Sequence, residues 1–267
     1  MAQVESNHYI PEKMANFTDA QIIKWPFLSS PIPIIFISLV YIYIVYFIGP
    51  QFMRNRQPYS LKTFMQCYNF FQIIANSWLV FNIVTTGGSF DAIWRYCEPF
   101  DKLYANNTEK QLGNLWWTLL LKIIDFIETI VFILRKKDRQ ISYLHTYHHV
   151  TVVIHVWLTL RYFIVSFAMT ATVVNSSIHV IMYSYYFLST FGPDMQQRLL
   201  PFKKNFTVIQ MVQFIIFLLI GVQGLMPNCD NKNMIYFSAI SFINVMINLL
   251  FFLNFYISSY KKSKKSI

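Results

Sequence analysis

The sequence predicts an all-α, polytopic membrane protein with seven transmembrane helices. Hydrophobic residues make up 55% of the 267 residues, aromatic residues 18% and charged residues only 13%, a balance that suits a bilayer rather than a water-facing domain. The chain divides into seven apolar runs, each about long enough to cross the hydrocarbon core. Lys and Arg collect in alternate connections between those runs, the asymmetry that orients membrane helices.

Taken in order, the first span is expected over Ile32–Ile48, with Gly49-Pro50 as its punctuation. The second covers Leu61–Val84 and stops before Gly87-Gly88. The third, Leu115–Leu134, is interrupted by Lys122, Asp125, Glu128 and Thr129. The fourth, Ile141–Tyr162, contains His145, His148 and His149. The fifth, Val165–Phe191, places Asn175, His179, Met182, Tyr183 and Tyr186 on one helical face. The sixth, Thr207–Leu225, carries Thr207, Gln210 and Gln213 in steps of three, and the seventh covers Met234–Ile257. No internal repeat, low-complexity block or linker divides the chain. Residues 1–267 therefore read as one membrane domain, with residues 1–31 as an N-terminal tail and 258–267 as a basic C-terminal tail. Met1–Ser30 is polar and mixed in charge, unlike a signal peptide.

The basic loops set the orientation. Arg54, Arg56 and Lys62, then Arg135, Lys136, Lys137 and Arg139, then Arg198, Lys203 and Lys204, then Lys261, Lys262, Lys264 and Lys265 face only Asp138 and Asp194. This puts the N-terminus outside and the C-terminus in the cytosol. The net charge of +10 then belongs to the cytosolic face, where it suits anionic headgroups or an anionic soluble substrate and argues against nucleic acid. Cys97 and Cys229 fall in loops of the opposite side, while Cys67 lies within the second span. A Cys97–Cys229 disulfide and two free thiols both fit that placement. The sequons at Asn16 and Asn106 are on the same side.

His145, His148 and His149 occupy i, i+3 and i+4, so their imidazoles share a helical face. Ionisable groups at membrane depth face a bundle interior or a cavity, and a cluster of them marks a functional site by default. The bland alternative is a hydrogen-bonded knot between helices. The ionisable groups of the third span would each cost about 2.5–3.5 kcal/mol if left facing lipid. Lys122 and Asp125 are expected to pair, either as a structural device or to orient the histidines and hold an anionic group. Gln210 and Gln213 serve interhelical amide bonds or substrate contact. At about 1.5 Å per residue, spans three to six bring their polar groups into one layer on the cytosolic side. The outer half is expected to stay largely apolar. The pattern describes a polar head site beneath a basic rim, leading into a greasy tunnel.

These motifs resemble the very-long-chain fatty acid elongases, the ELO condensing enzymes, over most of the chain. His145-Thr146-Tyr147-His148-His149 resembles the family's H-x-x-H-H, His179 to Tyr186 resembles H-x-x-M-Y-x-Y-Y, and Thr207 to Gln213 resembles T-x-x-Q-x-x-Q. Asn55-Arg56-Gln57-Pro58 and Tyr68-Asn69 look like its early landmarks. One departure is visible: K-x-x-E-x-x-D-T appears here with the acids exchanged, as Asp125 and Glu128. Gln140 and Thr146 look more like the branch acting on polyunsaturated and very-long-chain substrates. The Lys264-Lys265 ending is similar to dilysine signals that retain proteins in the endoplasmic reticulum.

The resemblance implies spans two to seven surrounding an acyl tunnel, and condensation of acyl-CoA with malonyl-CoA to 3-oxoacyl-CoA, CO2 and CoA, without a cofactor or metal. It implies an acyltransferase in which His148 attacks the thioester and His145, His149 and His179 orient groups or position malonyl-CoA. Asp125 or Glu128 would fix an imidazole tautomer, with Lys122 in the same catalytic set. Asn175, Met182, Tyr183, Tyr186, Gln210 and Gln213 would line the substrate site. Arg135, Lys136, Lys137, Arg139, Lys203 and Lys204 would attract CoA phosphates. The partners implied are the bilayer and the ketoacyl reductase, dehydratase and enoyl reductase of the cycle, with a homodimer also compatible. The location implied is the endoplasmic reticulum membrane, N-terminus lumenal and C-terminus cytosolic. Two other classes remain in view: a histidine-metal desaturase or hydroxylase, for which one H-x-x-H-H box and six histidines are few, and a non-enzymatic heptahelical receptor.

Overall fold

The computed structural model describes residues 23–227, 229 and 232–261. Asn16, most of the N-terminal tail, Lys262 and the Lys264-Lys265 pair lie outside the described residues. Among the described residues the regular elements are helical, and the extended pairing is an isolated bridge between Pro99 and Val165.

The long elements are α1 (Ile32–Met53), α2 (Lys62–Thr86), α3 (Thr108–Ile124), α4 (Phe126–Leu134), α5 (Tyr143–Arg161), α6 (Phe167–Ser189), α7 (Phe202–Gly221) and α8 (Lys232–Tyr256). Short helices occupy Phe100–Leu103 and Pro193–Leu199. Helix α1 widens to a π turn over Ile44–Ile48. Pro50 follows at once, and its missing N–H and bulky ring disfavour a regular α bond to the turn before it. A Cβ on Gly49 would come within 2.8 Å of Ile133 Cγ2, so glycine lets α1 close on α4. Helix α2 ends at Gly87 and Gly88, whose φ values of 86° and 75° suit glycine.

The third expected span differs from its sequence reading in two ways. It begins at Thr108 rather than Leu115, because Gln111 and Asn114 are buried and satisfied: Gln111 Nε2 donates to Ile83 O at 3.4 Å and to Gly87 O at 3.3 Å, and Asn114 Nδ2 donates to Gln111 Oε1 at 3.0 Å. It also breaks at Asp125, where Glu128 N donates to Asp125 O at 3.1 Å, a tightened turn between α3 and α4. The sixth begins at Phe202 rather than Thr207, since Lys203 and Lys204 form its exposed first turn.

Helix α2 packs along α6, α6 against α7, α7 against α8, α8 against α5, α5 against α3, and α3 returns to α2. This closes a ring. Helix α1 stands outside it against α4 and α5, with Ile32, Phe36 and Leu39 exposed. Leu79, Ile83, Leu112, Leu115, Leu119, Val153, Leu160 and Met169 fill the contacts on the α2, α3, α5 and α6 side. In lipid such contacts are held by close packing rather than by escape from water. Three helical stretches among the described residues, Ile32–Met53, Phe202–Leu225 and Met234–Tyr260, are long and apolar enough to cross a membrane. Polar side chains interrupt the other long helices.

Candidate active site

Asp125, at the break between α3 and α4, gathers groups from three helices. Its Oδ2 lies 3.4 Å from Lys122 Nζ, and its Oδ1 accepts from Gln72 Nε2 at 2.8 Å and Tyr183 OH at 3.0 Å. Tyr68 OH sits 3.0 Å from Gln72 Nε2. Lys122 Nζ also reaches His179 Nε2 at 3.4 Å, and His179 Nδ1 is 3.9 Å from Asp125 Oδ2. Lys122, Asp125, Glu128, His179 and Tyr183 are all buried. A charge in such a place is tolerable only when paired and hydrogen-bonded. Asp125 meets that condition through Lys122, Gln72 and Tyr183.

The histidine motif lies on α5, one turn past its cap. Ser142 Oγ accepts from His145 N at 3.1 Å, satisfying one of the helix's unpaired amides. Each of two histidines then meets a neutral partner from another helix. His145 Nε2 lies 2.9 Å from Thr129 Oγ1, which is itself 2.8 Å from Tyr41 OH of α1. His148 Nδ1 lies 3.1 Å from Asn248 Oδ1 of α8. Asn248 Nδ2 donates to Asn244 O at 2.9 Å, which turns the amide so that its oxygen faces the imidazole. An oxygen acceptor there requires Nδ1 to carry the proton, leaving Nε2 with its lone pair. The rings of His145 and His149 are 4.2 Å apart, and those of His148 and His149 are 5.9 Å apart.

Glu128, His145 and His149 bring one carboxylate oxygen and two ring nitrogens within 4.8 Å of one another, a spacing a cation could bridge. The Thr129 contact already engages His145 Nε2. Asp125 thus holds the lysine, Glu128 lies with the histidines, and Tyr183 stands between the two acids.

Beside this cluster opens a cavity of about 150 Å³ inside the ring. Lys122, Asn175 and Asn248 line its near end, and Phe217, Gly221, Phe237 and Tyr96 its far end. Tyr96 OH meets Ser238 Oγ at 2.9 Å, and burial holds its phenol above the ordinary value, hence neutral. The neighbouring Cys97 is disulfide-bonded to Cys229 with Cα atoms 5.4 Å apart, tying the loop after α2 to the one before α8.

Of the other residues expected at the site, Asn175 lines the cavity and Met182 Sδ lies 3.8 Å from Gln210 Nε2. The Tyr186 ring is 6.2 Å from that of Tyr183, and Gln213 is buried on α7. Arg135 is half-buried, and Lys136, Lys137, Arg139, Lys203 and Lys204 are exposed. Lys204 Nζ stands 5.6 Å over the Tyr256 ring. Among the described residues no hydrogen bond joins these bases to the histidines. Cys67 is free and exposed on α2, so it offers no thiol to this cluster. The cavity wall is largely apolar, as expected of the outer half, with Thr118, His155, Thr159 and Ser241 among the polar residues set into it. Sequence reasoning passed over Tyr41, Gln72, Asn244, Asn248, His155 and Ser241. Applying the rule for polar groups at membrane depth to every span would have found the Gln72/Asn76 and Asn244/Asn248 pairs, each at i, i+4 in an apolar run.

The ring, the buried ion pair and the anchored histidines beside a mostly apolar cavity define a class: a helical membrane protein with a buried ionisable cluster next to an apolar chamber. The family is defined by sequence. The ELO model, described as the GNS1/SUR4 family, matches residues 26–267, and the chain belongs to that family. It is 34% identical over 253 residues to very long chain fatty acid elongase 4 of Macaca mulatta, covering 94% of this chain and 78% of the relative. It is 34% identical over 256 residues to elongase 1 of Mus musculus, covering 95% and 90%. It is 33% identical over 249 residues to elongase 7 of Drosophila melanogaster, covering 93% and 75%.

Proposed function

We propose that this protein is a condensing enzyme of fatty acid elongation in which His148 carries the acyl group between acyl-CoA and malonyl-CoA. Family membership and the names of the relatives support elongation. The observation that carries the residue assignment is the His148 Nδ1 to Asn248 Oδ1 contact, which frees Nε2 to act as the nucleophile. Nε2 adds to the thioester carbonyl carbon, the C–S bond breaks, and CoA leaves and takes up a proton. The resulting acyl-imidazolium keeps its Nδ1–H on Asn248. Malonyl-CoA then loses CO2, and the enolate carbon attacks the acyl carbon. The C–N bond breaks and the lone pair returns to Nε2. The balance is acyl-CoA, malonyl-CoA and one proton in; 3-oxoacyl-CoA, CO2 and CoA out. Lys122, held by Asp125 beside His179, is the donor assigned to the developing oxyanions, and His145, His149 and Glu128 complete the polar wall. Asn175, Met182, Tyr183, Tyr186, Gln210 and Gln213 are assigned to the substrate head, and the exposed bases to CoA phosphates.

The same reading takes the chain as one membrane domain crossing seven times, with α3 and α4 together forming one crossing and α2 to α8 enclosing the acyl chain. The disulfide supports an oxidising, lumenal side for the loop of Cys97 and Cys229. That agrees with a lumenal N-terminus, a cytosolic C-terminus and residence in the endoplasmic reticulum, with Lys264 and Lys265 as a retention signal. The reductases and dehydratase of the cycle are the partners proposed, together with a homodimer. Neither metal nor organic cofactor is invoked. Elongase-named relatives favour condensation over the desaturase, hydroxylase and receptor readings.

The test is incorporation of labelled malonyl-CoA by purified protein offered a panel of acyl-CoAs. The expected result is 3-oxoacyl-CoA that disappears in His148→Ala and persists after chelator treatment. Trapping the acyl group on a different side chain would overturn the nucleophile assignment. Loss of activity on chelation, restored by a metal, would turn attention to Glu128, His145 and His149.

A further inference from the structure

The cavity holds a histidine that the condensation does not use. His155 follows His148 by seven residues, so it lies on the same face of α5, about 10 Å further along it. Ser241 precedes Asn248 by the same interval on the antiparallel α8. The two pairs repeat: His148 Nδ1 meets Asn248 Oδ1 at 3.1 Å, and His155 Nε2 meets Ser241 Oγ at 3.3 Å. Both His155 and Ser241 line the cavity midway between Lys122 and Tyr96.

The second station differs in where its protons lie. Ser241 Oγ donates its proton to Phe237 O at 2.7 Å; with the serine proton there, the contact with His155 is made by the tautomer whose Nε2–H donates to Ser241 Oγ. His155 Nδ1 is then an acceptor, and among the described residues it has no hydrogen-bond partner. The neighbouring hydroxyls add no donor, because Thr118 Oγ1 donates to Asn114 O at 2.8 Å and Thr159 Oγ1 to His155 O at 2.8 Å. A plain hydrocarbon chain passing this point would leave the acceptor unpaired in an apolar surrounding, which is costly. A chain bearing a hydroxyl at that depth would supply the missing proton, whereas a ketone, which only accepts, would not.

We propose that the acyl tunnel contains a hydroxyl-recognition subsite formed by His155 and Ser241, and that the protein takes acyl chains carrying a mid-chain alcohol. The proposal rests on the elongase reading above. A site built to pair a substrate hydroxyl discriminates strongly against analogues without one.

The experiment measures kcat/KM with labelled malonyl-CoA for purified protein given three matched acyl-CoA series: unsubstituted, hydroxylated at successive carbons, and the corresponding ketones. The expected result is a peak at one hydroxyl position, about tenfold above both the unsubstituted chain and the ketone. His155→Leu removes that peak and lowers the hydroxyl-to-plain ratio by a similar factor. Ser241→Ala, which frees Nε2 and its tautomer, flattens the preference for alcohol over ketone and serves if His155→Leu does not fold. A flat profile along the hydroxylated series, or an unchanged ratio in both variants, overturns the subsite while plain acyl-CoAs are still elongated. Absence of elongation with every series counts instead against the elongase reading.

Discussion

The two ends of the cavity are closed by different means. At the histidine end, directional hydrogen bonds between helices hold the groups: Thr129 holds His145, Asn248 holds His148, and Gln72 with Tyr183 holds the Asp125 carboxylate. At the far end a covalent link, Cys97 to Cys229, lies next to the Tyr96–Ser238 contact. Chemistry needs particular atoms aimed to within a few tenths of an ångström, which hydrogen bonds with neutral partners achieve without fixing charge. An end wall has only to stand firm against a flexible chain pushed towards it. A crosslink does that whatever the substrate's chemistry.

Substitutions at four positions test this contrast. His148→Ala is expected to lower the single-turnover rate at least about 10³-fold; retention of the rate would place the nucleophile elsewhere. Asn248→Leu is expected to lower kcat about 10- to 100-fold by releasing the imidazole tautomer. Asn248→Asp, which still accepts from Nδ1, should keep more of the rate, and equal losses in the two variants would argue that Asn248 only packs. Cys97→Ser should cost about 2–4 kcal/mol of stability, read as a lower melting temperature in detergent, while kcat below that temperature changes little. A kcat loss as large as that of Asn248→Leu would mean that the two ends are mechanically coupled. Tyr96→Ala should have the smallest effect on rate but lengthen the longest product by one or more two-carbon steps in mass spectra. An unchanged product distribution would move the end wall away from Tyr96.

The apolar runs made most of the helices legible in the sequence, because a span needs only length and hydrophobicity to be recognised. Their boundaries were less legible. Gln111 and Asn114 read as loop residues until the carbonyls of Ile83 and Gly87, on the neighbouring chain segment, are seen to accept from Gln111. Lys203 and Lys204 likewise read as loop although they begin α7. The histidines, Lys122 and Asp125 stood out because ionisable groups are expensive at membrane depth. Asn248 and Thr129 did not, since a neutral amide or hydroxyl in a span is common and its importance depends on what faces it across a helix gap. His155 was hidden for the opposite reason: it shares its helix with three more conspicuous histidines, and only the cavity separates its role from theirs.

Helix α1 packs outside the ring, with a large share of its surface exposed. Through Tyr41 OH it nevertheless reaches Thr129, and through Thr129 it reaches His145. As a membrane anchor it would be interchangeable with any greasy helix of similar length. The phenol makes it a spoke of the candidate active site. A chimera carrying a foreign first helix would insert and enclose the same cavity, yet present His145 with its thread of hydrogen bonds cut.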